Sequence, residues 1–175
     1  MSYSKLFQKK GLLLLTSILS LSFISCEQIE SEASESDIVA ADMHGSWYVE
    51  FLSEGEDIYS LGYQLINTYN TSENDGSSMW INDNEHTWTF NVNCPINASS
   101  KTFSGEALYS NVDDYEVDVT ITNGKITEGG TKSLGGYTAD QISFDAEFSD
   151  DQGTVFQIIG YRHVGYIEDL SLIHI

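Results

Sequence analysis

The sequence predicts an all-β domain of about eight or nine short antiparallel strands, folded as a closed barrel or a sandwich. Several runs alternate apolar and polar residues with a period of two, as half-buried strands do. These runs are rich in β-branched and aromatic residues, and clusters of Gly, Asn and Asp separate them. Helical periodicity is lacking, and only residues 52–61 are compatible with a short helical turn.

Each alternating run assigns one apolar and one polar face to a predicted strand. In the first run, Trp47, Val49 and Phe51 share a face. In the second, Tyr63, Leu65, Asn67 and Tyr69 share a face. The remaining runs cover residues 86–93, 115–122 and 142–148.

Turn residues separate the predicted strands. Asn123-Gly124 is typical of a two-residue type I′ hairpin turn, and residues 150–153 join two runs in the same way. Two glycine pairs, at 129–130 and 135–136, bracket another loop. Pro95 is expected to end the strand before it, because proline cannot donate a backbone hydrogen bond.

The N-terminus predicts export and lipidation. Residues 1–25 combine three lysines with a short Leu- and Ile-rich stretch, as a secretory signal peptide does. This stretch ends in Ser25-Cys26, and a small residue before a cysteine at that point resembles a lipobox. The resemblance implies that Cys26 becomes the first residue, carries diacylglycerol and an N-acyl chain, and is held at a membrane. Two or three acyl chains anchor a protein stably where one does not.

Residues 26–41 are expected to form the lipidated cysteine and a flexible acidic tether. Acidic residues directly after the cysteine resemble the surface-export signal of some Gram-negative bacteria, which implies an outer-membrane lipoprotein exposed on the cell surface. The formal net charge is −20, and all acidic residues follow Cys26. This charge argues against nucleic acids and anionic head groups as partners. The oligomeric state stays open.

No residue pattern predicts a catalytic, metal or cofactor site. Cys94 is the only cysteine after Cys26, which excludes an intramolecular disulfide and a cysteine-based metal site. There is no G-x-S-x-G motif, and the histidines are scattered. The oxygen-rich segment 82–85 lacks the pattern of a calcium loop, so a solvated polar hairpin is favoured there.

A family resemblance sharpens the prediction. Gly45-Ser46-Trp47 is similar to the start of lipocalins, where the tryptophan closes one end of the barrel. Together with residues 67–72, 78–81 and 88–90, it resembles the lipid-binding putative hydrolases, a family of small gut-bacterial lipoproteins. The resemblance covers roughly residues 40–169, and the barrel domain is expected over residues 42–169. It implies a single lipocalin-like antiparallel barrel of about eight strands that binds a lipid or another apolar molecule, and a hydrolase activity for which no motif is found.

Aromatic residues are the predicted ligand-binding set. If they line the barrel interior, they form an apolar pocket of the usual small-ligand kind. Two alternatives stay open: they fill the core, or they lie outside and stack on sugars. The members are Trp47, Tyr63, Tyr69, Trp80, Trp88 and Phe90.

The functional prediction is a membrane-anchored lipoprotein with an apolar small molecule in a barrel cavity. One alternative is an esterase-like hydrolase, which requires a serine and a histidine in hydrogen-bonding reach at the barrel mouth. The other is a surface accessory protein that binds glycans or proteins. Residues 170–175 resemble a translated sequencing adaptor, so we expect the native domain to run to about Asp169 and assign no role to His174.

Overall fold

The computed structural model describes residues 38–166, so the predicted signal peptide, Cys26, most of the tether and the adaptor-like tail lie outside the described residues. Eight antiparallel strands follow a short 3-10 helix, Ala41–Met43, and close into a barrel in chain order. This confirms the barrel and excludes the sandwich. The strands are β1 (Gly45–Leu52), β2 (Gln64–Asn70), β3 (Ser78–Asn82), β4 (Asn91–Asn97), β5 (Thr102–Tyr109), β6 (Asp118–Lys132), β7 (Thr138–Phe148) and β8 (Phe156–Arg162).

The barrel closes where β1 pairs with β8, with Tyr48 opposite Tyr161 and Phe51 opposite Ile158. Within residues 38–166, no helix has the length and apolar character needed to cross a membrane. The eight strands form one continuous ring, in which each strand is hydrogen-bonded to both of its neighbours.

Apolar side chains fill the barrel. The period-two prediction is confirmed in β1 from Trp47 and in β7 from Ile142, where every second residue is buried. Burial of these side chains is the main favourable term in folding, at about 25 cal/mol per Å² of apolar surface. The largest fully buried aromatic side chains are Trp47, Phe51, Phe90, Phe144, Phe148 and Phe156.

One end of the barrel is closed by Trp47, as the lipocalin-like start implies. Its indole Nε1 donates to Thr68 Oγ1 at 2.9 Å. The guanidinium of Arg162, the only arginine in the sequence, lies 4.4 Å from the centre of the indole ring. Arg162 also donates through Nε to Asp140 at 3.0 Å and through Nη2 to the Asp42 carbonyl at 2.6 Å. The cation–π contact and these bonds fix the 3-10 helix across this end.

The hairpin turn predicted at Asn123-Gly124 is wrong. Both residues lie inside β6, and the register against β7 shifts between Thr122 and Lys125. Asn123 has a φ of 56°, so the chain forms a β-bulge there. Asn-Gly predicts either feature, because both need a residue with positive φ.

The prediction that Pro95 ends a strand is also wrong. Pro95 lies within β4, opposite Ser78 of β3. The next amide, of Ile96, donates toward β3, to the Ser77 carbonyl at 2.9 Å. The nitrogen of Pro95 therefore faces β5, and the β4–β5 pairing begins only at Ile96. Proline is tolerated there because no ladder hydrogen bond is lost.

The remaining turn predictions have mixed outcomes. The turn at 150–153 is confirmed, with Gly153 at a φ of 90° between β7 and β8. Gly136 lies in the β6–β7 turn as expected, whereas Gly129 lies in a second irregularity of β6. Residues 53–63 contain turns and no helix.

Candidate functional site

An aromatic cluster covers the barrel end opposite Trp47. The Trp88 ring stacks on Phe148, with centroids 4.5 Å apart and planes 7° apart, and lies 4.6 Å from Phe156. Tyr59 packs edge-on against Trp88, with centroids 5.6 Å apart. We call Tyr59, Trp88, Phe148 and Phe156 the aromatic cap. It joins two loops, β1–β2 and β3–β4, to the ends of the strands that line the interior.

A surface cavity of about 340 Å³ opens onto the aromatic cap. This volume falls within the range of about 300–1,000 Å³ for small-molecule sites. Tyr59 is 51% exposed, and Ile58 beside it is equally accessible at 50%. An apolar molecule seated here would cover aromatic surface that now faces water. The lining residues are Tyr59, Leu61, His86, Thr87 and Trp88.

The loop that carries Trp88 is organised by the buried carboxylate of Asp83, which is 1% exposed. Both carboxylate oxygens accept hydrogen bonds from within the loop, which replace lost water. Oδ2 accepts from the Thr89 amide at 2.9 Å, and Oδ1 from the Phe90 amide at 2.9 Å, at the two residues that follow Trp88. The other donors are the Glu85 amide and the Thr87 amide and hydroxyl.

The solvated hairpin favoured for residues 82–85 is wrong at Asp83, because its side chain is buried rather than solvated. No group of three or more His, Cys, Asp or Glu side chains within residues 38–166 is placed to hold a metal ion. The period-two run from residue 86 also fails, since β4 begins only at Asn91. Asp83 therefore shapes a loop where alternation alone predicts a strand.

The same loop holds its backbone in an uncommon conformation. Asn84, Glu85 and Thr89 have φ values of 53°, 61° and 52°. A β-branched residue such as Thr89 rarely adopts positive φ, and residues held in this way cluster at ligand-binding and switch regions. The conformation turns the chain so that Trp88 lies over the interior.

The six predicted ligand-binding aromatics do not share one interior. Trp47 lies at one barrel end, whereas Trp88 and Phe90 lie at the opposite end, under the aromatic cap. Phe90 is fully buried, 5.6 Å from Phe148. The other three are outside the barrel. In β2 the buried residues are Ile66 and Thr68, so Tyr69 projects outward, as does Tyr63 just before the strand. In β3, Trp80 projects outward between the buried Met79 and Ile81.

The outward aromatics have partners of their own. Tyr69 and Trp80 have centroids 6.4 Å apart and planes 20° apart. Tyr63 packs edge-on against Tyr161, 5.6 Å away. Burial, with the Glu50 carboxylate beside it, raises the pKa of Tyr63 above its ordinary value of 10.0.

A family model described as lipid-binding putative hydrolase matches residues 32–167, which include every strand of the barrel. The chain belongs to this family. No curated protein matches the sequence. Membership confirms the resemblance carried by the residues from Gly45 to Phe90, and an aromatic-capped barrel fits the lipid-binding half of the family description.

The hydrolase half of the description requires a nucleophile and a base. Among residues 38–166 no serine hydroxyl is hydrogen-bonded to a histidine, so no Ser–His pair is assembled. Burial lowers the pKa of His44 and raises the pKa of the Cys94 thiol to about 12. A thiol with that pKa stays protonated at neutral pH and is a poor nucleophile. His86 is exposed at the rim of the capped cavity.

A larger cavity of about 470 Å³ lies beside β4, β5 and β6. Its lining combines Pro95, Ile96 and Phe103 with polar side chains that include the charged Lys125. The cavity at the aromatic cap is smaller, but its floor is aromatic and rests directly on the core. For an apolar ligand, the cap is the better site.

Alternation alone could not assign Tyr59 and Leu61 to the site, because both lie in an irregular loop. Phe148 and Phe156 are the last residue of β7 and the first of β8, across one turn. That turn places their rings at one barrel end. In the sequence, the predicted turn at residues 150–153 was the indication that Phe148 and Phe156 lie close together.

Proposed function

We propose that this protein is a membrane-anchored lipoprotein that binds the acyl chain of a lipid, or a similar apolar molecule, at the aromatic cap. The observation that carries the proposal is the cavity over Trp88, floored by aromatic rings that continue into the core. Family membership and the barrel support a lipid as the ligand class.

The acyl chain would pack along Tyr59 and Leu61 and over the face of Trp88. Each methylene removed from water contributes about 0.8 kcal/mol. Rotation of Trp88 away from Phe148 would let the chain pass deeper, between Phe148 and Phe156. The strained 83–90 loop is the element whose shift would open this path.

Anchoring at Cys26 would hold the aromatic cap near a source of lipid. The acidic residues of the tether and the net charge of −20 would keep the domain off anionic head groups. Cells grown with an alkyne analogue of palmitate test the anchor. Label should appear on the wild-type chain and disappear in Cys26→Ser, and equal label on both would refute lipidation at this residue.

Tryptophan fluorescence tests the ligand site. The barrel closes on itself and encloses its own core, so residues 27–169 serve as a soluble domain without acyl chains. Palmitate should shift the emission of the wild-type domain, and Trp88→Phe should remove most of this shift. Trp80→Phe is the matched control, since Trp80 lies outside the barrel, and it should keep the shift. No response in the wild type, or an equal response in both variants, would overturn the site.

A further inference from the structure

The outer face of β2, β3 and β4 is uncharged. None of these three strands contains an Asp, Glu, Lys or Arg, in a chain of formal net charge −20. By contrast, β7 directs Asp145 and Glu147 away from the core. At the centre of this neutral face, the outward side chains are amides and aromatic rings. Its central members are Asn67, Tyr69, Trp80, Asn82, Asn91 and Asn93.

The strand register arranges these side chains in two rows. Tyr69, Trp80 and Asn93 lie opposite one another across the three strands. We call this the aromatic row, after its two rings. The next row, two residues along, is made of three asparagines in the same register: Asn67, Asn82 and Asn91. The neutral face thus sets apolar rings beside groups that both donate and accept hydrogen bonds.

Hydrogen bonds hold the aromatic row in place. The Tyr69 hydroxyl donates to Asn91 Oδ1 at 2.9 Å, and Asn91 Nδ2 donates to Asn111 Oδ1 at 2.7 Å. The Tyr69 and Trp80 ring planes differ by only 20°. Tyr69 is nevertheless 39% exposed. A preordered aromatic surface loses little entropy when a ligand binds.

We propose that this neutral face binds an uncharged polysaccharide. A pyranose ring has an apolar C–H face that stacks on Tyr69 or Trp80, and its hydroxyl groups hydrogen-bond to amides. Asn93 is exposed next to Trp80, and its side chain has no hydrogen-bond partner among residues 38–166, so both its donor and acceptor are free for a ligand. Acidic sugars lack a cation on this face and meet a strongly negative protein.

This site is independent of the aromatic cap. Trp80 lies outside the barrel, whereas Trp88 belongs to the aromatic cap over one barrel end. A protein with both sites would bind a glycan on its side wall and an apolar molecule at its mouth. Loss of either activity would leave the other in place.

Affinity electrophoresis of the full chain in mild detergent tests the proposal, in native gels with soluble galactomannan, xyloglucan or hydroxyethyl cellulose. At least one should retard the wild-type chain, and polygalacturonate should not. Trp80→Ala and Tyr69→Ala should abolish the retardation, and Asn93→Ala should weaken it several-fold. Tyr137→Ala, at an aromatic residue 38% exposed in the β6–β7 turn, is the matched control and should match wild type.

Circular dichroism shows whether each variant retains its β-structure, and Trp88→Phe should bind polysaccharide like wild type. The proposal is overturned if no neutral polysaccharide retards the chain, or if folded Trp80→Ala is retarded equally. It is also overturned if Trp80→Ala dissociates an oligomer on size exclusion and no polysaccharide binds, because the face would then join copies of the chain.

Discussion

At the residue scale, the carboxylate of Asp83 replaces a solvent shell with hydrogen bonds from one short loop. A hydrogen bond to a charged group contributes roughly 1.5–3 kcal/mol, and an unpaired buried group costs a similar amount. The sequence predicts neither its burial nor its partners, because Asn82-Asp83-Asn84-Glu85 has the composition of an exposed turn. Only the tertiary position of the loop, over the core, removes Asp83 from water.

Replacement of Asp83 by asparagine should destabilise the domain by about 3 kcal/mol, because an amide group would face backbone donors. It should also release Trp88 from Phe148. Urea unfolding gives the first quantity, and acrylamide quenching of tryptophan fluorescence reports the second. Asp113→Asn, at an exposed carboxylate, is the control and should leave both unchanged. Unchanged stability in Asp83→Asn would contradict the assigned role.

His44 predicts a pH dependence at the closed end. Burial is the largest cause that lowers its pKa in the folded state, below the ordinary value of 6.5. The unfolded chain then takes up a proton first as the pH falls, so the contribution of His44 to stability is present above pH 6.5 and lost below it. Unfolding from pH 7 down to pH 5 should show a steeper loss of stability for wild type than for His44→Gln. Parallel curves would refute this assignment.

At the element scale, alternation predicted the strands that bury one face and failed where both faces are apolar. β7 was predicted well because Asp145 and Glu147 mark its outer face. β3 could not be assigned from the sequence, since Trp80 alternates with Met79 and Ile81, and all three are apolar. The outer position of the aromatic row therefore emerged only from the barrel.

The β6 bulge depends on Gly124, because a Cβ there would lie 2.3 Å from the Phe103 carbonyl oxygen and 2.4 Å from its ring. Gly124→Ala should therefore lower the free energy of unfolding by about 2 kcal/mol through overpacking. Denaturant titration measures it. In an exposed hairpin turn the added methyl group would meet no such contact, so wild-type stability would argue for a turn.

At the scale of the whole molecule, the two barrel ends differ in kind. Arg162, Trp47 and the 3-10 helix close one end with hydrogen bonds and a cation–π contact. The other end is covered by the strained loop that carries Trp88 and by stacked rings. The rings contact one another without hydrogen bonds, so they separate at lower cost. The lipocalin-like start at Gly45-Ser46-Trp47 predicted the end that Trp47 closes. The aromatic cap at the other end could not be predicted, because Tyr59 and Trp88 lie in loops whose sequences have no periodicity.

Amide and aromatic NMR shifts of the ¹⁵N-labelled domain, recorded while palmitate is added, test the central claim most directly. We predict that the largest changes map to Tyr59, Leu61, Trp88 and the rings beneath them, and that they saturate together. Changes confined to Ile96, Phe103 and Gly124 beside the larger cavity, or none at saturating palmitate, would contradict binding at the aromatic cap.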